Sequence, residues 1–80
     1  MKFKRVNIGI TRLSDTDYLR AEREMLSNQM KEYGLTLSAL SKSEDKEGKT
    51  KWFDNRDGKK ILSKQIEPEK LLLTYKIYRK

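Results

Sequence analysis

The sequence predicts an α+β fold: a single small domain in which one amphipathic helix packs on a mainly antiparallel sheet, in the order β-α-β-β-β-β. Three observations carry this. Apolar residues recur at helical spacing over 15–33, the flanking segments alternate with period two, and turn residues separate them. A lone amphipathic helix must bury its apolar stripe, and the sheet is its available partner.

Residues 3–11 alternate. Val6, Ile8 and Ile10 point one way, and Phe3, Arg5, Asn7 and Gly9 the other, as in a half-buried strand. A helix start follows, with Ser14 as N-cap, Asp17 at N3, and a staple between Leu13 and Tyr18. Tyr18, Leu19, Met25, Leu26, Met30 and Tyr33 form its apolar face, and Met25 and Met30 read as flexible core filler. Arg20, Arg23, Asn28 and Lys31 face outward, and Gly34 suits the position just past the helix end. Glu22, Glu24 and Glu32 read as solvent-facing or boundary groups.

Residues 35–41 alternate again as a second strand, and residues 42–49 form a mobile, charged hairpin connection. The helical crossover is long enough for the first two strands to run parallel in one sheet. Thr50 opens a third strand. Asp54-Asn55-Arg56-Asp57-Gly58 is a turn cluster, with Asp57-Gly58 suited to positive φ. Residues 59–66 form a fourth strand. Glu67-Pro68-Glu69-Lys70 breaks the chain before a last strand over 71–79. In that strand Leu71, Leu73, Tyr75 and Ile77 make the core row, leaving Thr74, Lys76, Tyr78 and Lys80 outward. In Trp52-Phe53 adjacent side chains face opposite ways, so one aromatic belongs on the open face or at the sheet edge.

An 80-residue chain supports one domain, 1–80, with a small core. The absence of Cys removes disulfides, zinc-thiolate sites and thiol nucleophiles, and points to a cytoplasmic setting. The absence of His removes the usual neutral-pH acid–base group. The basic N-terminus lacks the apolar stretch of a signal peptide, and the longest apolar run, Leu71–Leu73, spans no membrane. Gly48-Lys49-Thr50 resembles the end of a phosphate-binding loop, but the required upstream glycine is Ser43. Residues 54–58 lack calcium-loop spacing, with Gln65 at the twelfth position. Glu67 and Glu69 flank a proline without completing a metal site. No cofactor, metal or catalytic residue is therefore expected, and the chain reads as non-enzymatic.

The formal charge of +7 is uneven: residues 1–13 carry +4, residues 14–34 carry −2, residues 35–58 balance, and residues 59–80 carry +5. The helix is acidic and the terminal strands are basic. One helix covers one face of a sheet, so the other shows the outward residues. A face mixing cations and rings suits single-stranded nucleic acid, because cations neutralise phosphates and rings stack on bases. Lys4, Arg5, Lys60, Lys64, Lys76 and Arg79 are the expected phosphate contacts, with Trp52 or Tyr78 as the stacking ring. The aromatic consensus of RNA-recognition sheets, a GXXG clamp, zinc spacing and a helix-turn-helix pattern are all absent.

The alternative is a protein-binding or homodimerising accessory or inhibitor module, in the compact basic style of phage and mobile-element proteins. It calls for an exposed apolar patch around Trp52, Phe53, Leu62 and Leu72.

Overall fold

A computed structural model describes residues 2–12 and 17–79. The elements are β1 (Phe3–Gly9), α1 (Asp17–Tyr33), β2 (Leu40–Glu44), β3 (Lys49–Asp54), β4 (Lys59–Glu67) and β5 (Leu72–Tyr78). Short 3-10 turns cover Leu37–Ala39 and Pro68–Lys70. The five strands form one sheet in the order β1-β5-β4-β3-β2, and every neighbouring pair is antiparallel. The fold is the expected α+β arrangement of one helix on an antiparallel sheet. β1 and β2 do run in the same direction, but they occupy opposite edges, with the β3–β4–β5 meander between them. No helix among the described residues is long and apolar enough to cross a membrane.

The helix ends where its glycine predicts. Gly34 adopts φ +63°. Its N–H donates to Lys31 O and the Leu35 N–H donates to Met30 O, the paired bonds of a Schellman motif. The proposed cap and staple partners Leu13 and Ser14 lie outside the described residues.

The inner stripe of α1 differs from the expected one. Leu19 is exposed, whereas Glu22 is half-buried and Gln29 is buried with Tyr33. The second strand begins later than expected, since residues 35–39 are not a strand. After Leu35 packs against the core, a 3-10 turn carries Leu37 into solvent at 77% exposure, and pairing begins only at Leu40. Period-two alternation here records turns that bury Leu35 and Leu40 rather than a pleat. Strand β2 therefore extends to Glu44, and the hairpin connection shrinks to Asp45–Gly48. There the Asp45 carboxylate accepts the N–H groups of Glu47 (2.9 Å) and Lys49 (3.0 Å).

The core joins Ile10, Tyr33, Trp52, Ile61, Leu62, Leu73 and Tyr75. Ile61 and Leu62 are consecutive and both fully buried, which a regular pleat forbids. The β3–β4 register explains it. Trp52 pairs with Leu62 but Phe53 pairs with Lys60, so Ile61 is an extra residue, a β-bulge. The β4–β5 ladder likewise stops at Leu62–Ile77. Beyond that point Gln29 Nε2 donates to Ile61 O (2.6 Å) and to Tyr78 O (2.7 Å), and Tyr33 OH donates to Tyr78 O (3.0 Å). Side chains of the last helical turns thus take over where the ladder ends.

Replacing Gln29→Leu strands the buried Ile61 carbonyl, at about 1–3 kcal/mol, and leaves Tyr78 O held by the Tyr33 hydroxyl alone. The urea midpoint is expected to fall with the slope unchanged. Gln29→Glu, equal in size but an acceptor when ionised, is expected to be at least as damaging at pH 7. The two backbone N–H bonds to Asp45, that of Lys49 foremost, hold its carboxyl below the ordinary carboxylate value. A lowered folded-state value means stabilisation present above the unfolded pKa and lost as pH falls through the folded one. Protection from hydrogen exchange at the β2–β3 hairpin, relative to the intrinsic rate at each pH, is therefore expected to fall below about pH 4, with Asp45→Ala showing no such response in that window.

Candidate nucleic-acid interface

Directly opposed residues of neighbouring strands share a face, so the register sorts every side chain. The helix side carries Val6, Tyr75, Lys64 and Thr50 in one row, and Ile77, Leu62 and Trp52 in another. The opposite, uncovered face is built from transverse rows. Arg5, Lys76, Ser63, Lys51 and Ser43 form one continuous row across all five strands. Asn7, Thr74, Gln65 and Lys49 form the next. On the other flank, Phe3 pairs with Tyr78 and Lys60 pairs with Phe53. A shallow depression of about 230 Å³ runs along this face, with Lys49, Lys51, Lys60, Ser63, Lys76 and Tyr78 on its walls.

The rings and cations of this face touch. Phe3 and Tyr78 lie 5.8 Å apart, tilted by 49°. Lys76 Nζ sits 5.2 Å from the Phe3 ring centre, Arg5 Cζ 6.0 Å, and Lys60 Nζ 5.0 Å from the Tyr78 ring. Burial would push the Tyr78 phenol up. Hydrogen bonds with Ser63 and Lys60 and the charges of Lys60 and Lys76 outweigh that, and its pKa falls below the ordinary 10.0. None of Arg5, Lys49, Lys51, Lys60 and Lys76 forms a salt bridge among the described residues; on this side Glu67 is held by Lys70 at 3.1 Å, and Asp45 at the hairpin end feels the charges of Lys49 and Lys51.

Several expected site residues lie elsewhere. Trp52 is 3% exposed and belongs to the core, so it offers no stacking surface, and Phe53 is the member of the pair on the open face. Tyr78 is on the open face but buried beneath Lys60 and Phe3. Lys64 points under the helix at 11% exposure. Its ammonium meets Glu22 Oε1 at 2.7 Å and lies over the rings of Tyr18 and Trp52. Glu22 also accepts the Tyr75 hydroxyl at 2.8 Å. Burial, and then Glu22, push the Tyr75 phenol far above its usual value. Lys4 pairs with Ile77 and so projects to the helix side of the edge strand. Arg79 lies beyond β5, beside a concavity of about 550 Å³ shared with Tyr33, Arg56 and Lys59. Arg5, Lys60 and Lys76 do converge on the open face.

Lys60 and Lys64 illustrate why. Four residues apart, they would share a face in a regular strand, but the bulge at Ile61 inverts the parity between them. Lys49, Lys51, Phe3 and Phe53 are open-face residues outside the nominated set. The lysines are masked in the sequence because Glu44, Asp45, Glu47, Asp54 and Asp57 cancel their charge. Strand parity, applied residue by residue, is the signal that separates them from Glu44 and Asp54.

No protein-family model, curated protein or solved structure matches the chain.

The Glu22–Lys64–Tyr75 cluster is structural. Lys64→Met is expected to lower stability by up to about 3 kcal/mol by leaving a carboxylate unpaired. The double variant Lys64→Met/Glu22→Leu should recover most of that loss in urea titrations.

Proposed function

We propose that this protein is a small non-enzymatic domain that binds nucleic acid through the uncovered sheet face. The observation that carries the reading is the juxtaposition of Arg5 and Lys76 as direct cross-strand partners, with Lys51 further along the same row. Like charges placed opposite one another weaken a sheet. No described carboxylate forms a salt bridge with Arg5 or Lys76, and the arrangement is relieved by an anion laid along the row. Phosphodiesters supply regularly spaced anions, and neighbouring rings suit the attached bases. The chain's lack of His and Cys agrees with binding rather than catalysis.

The protein-binding alternative finds less support. Of the apolar patch it requires, Trp52 and Leu62 are buried, and Leu72 and Phe53 are half-covered.

The test is a fluorescence titration of a labelled oligonucleotide over a range of salt. If about four phosphates are neutralised, log K should fall against log salt with a slope near −3 for a single strand. Lys76→Ala and Arg5→Ala should each weaken binding and flatten that slope by about 0.7. Lys31→Ala, on the outer side of the helix, should change neither. No affinity for DNA or RNA at low salt would refute the reading.

A further inference from the structure

The row order of the open face sets a direction for the ligand. The cations of the central row come from β1, β5 and β3, so they run across the strands over about 14 Å, three strand spacings. One row away, about 7 Å along the strands, Phe3 and Phe53 stand on β1 and β3 at the two ends of the Tyr78–Lys60 contact. Phe3 is 43% exposed and Phe53 half-buried, whereas Tyr78 between them is covered. The accessible rings are therefore spaced transversely, parallel to the cations and displaced to one side. That is the layout of a nucleotide chain, with a charged thread and flat groups hanging from one side.

A duplex does not fit it. Five strands span about 19 Å, wider than the roughly 12 Å major groove, so the sheet cannot enter to reach base edges. Paired bases also keep their faces stacked inside the helix, out of reach of Phe3 and Phe53.

We infer that the ligand is a single strand lying perpendicular to the β-strands, with phosphates along Arg5, Lys76 and Lys51 and bases stacked on Phe3 and Phe53. This rests on the nucleic-acid reading and specifies its substrate class and path. Stacking partners carry no charge, so they separate from phosphate contacts by their salt behaviour. Phe3→Leu and Phe53→Leu keep apolar bulk and remove the ring. Each is expected to weaken binding of a labelled oligothymidylate about 5- to 150-fold with the salt slope unchanged. Oligothymidylate should bind more tightly than a duplex of the same length at matched salt, and the double variant should bring the two to similar affinity. Urea midpoints of the variants show whether each remains folded under the titration conditions, and Phe3 on the exposed edge strand serves if Phe53→Leu does not. Binding of duplex as tightly as single strand would overturn the inference while leaving the nucleic-acid reading standing. So would folded Phe3→Leu binding within twofold of the parent. Absence of all nucleic-acid binding would fell the parent reading first.

Discussion

The amide of Gln29 is the point on which the two faces of this protein depend. The bulge at Ile61 lets two consecutive apolar side chains enter a core that a small domain can scarcely fill. Its consequence is a ladder that stops early, with carbonyls of Ile61 and Tyr78 inside the protein. Gln29 donates to both, so one polar side chain joins helix, β4 and β5 at the place where the strands no longer join themselves. The same bulge places Lys60 on the open face over Tyr78.

The distribution of charge follows from that division. Beneath the helix Lys64 is matched by Glu22, as a nearly buried ammonium must be. Across the sheet Arg5 and Lys76 stand opposite one another with no salt bridge among the described residues, and Lys51 continues their row. A solvated row tolerates this because water screens it. The mutual repulsion still costs stability, and under the proposed reading a bound polyanion would return it, linking ligand to fold.

Much of this was legible in the residues. Alternation assigned Phe3, Arg5 and Asn7, and Thr74, Lys76 and Tyr78, to the uncovered face, and Gly34 marked the helix end. Parity in Trp52-Phe53 required that the two rings separate but could not say which went inward, since both are large and apolar. Other features depend on tertiary context. Gln29 and Glu22 look like ordinary exposed helix residues until the carbonyls and the lysine they meet are in place. The bulge has no local mark: Lys59-Lys60-Ile61-Leu62 reads equally well without it, and that single extra residue sent Lys64 to the wrong face. Leu37 alternated like a strand residue and ended in solvent, because the neighbouring leucines could be buried by a turn.

β1 has a single neighbour in the sheet, β5, and pairs Phe3 with Tyr78 from almost opposite ends of the chain. The β2–β5 meander can form by successive local hairpins, but β1 cannot pair until β5 exists. Of these five strands, β1 is thus made first and paired last during synthesis. Arg5 and Lys4 on that waiting strand repel a second copy of it, a safeguard against mispairing during the interval. The row holding Arg5 and Lys76 is completed at the same late step, so a chain arrested short of β5 lacks half of that row as well as its edge.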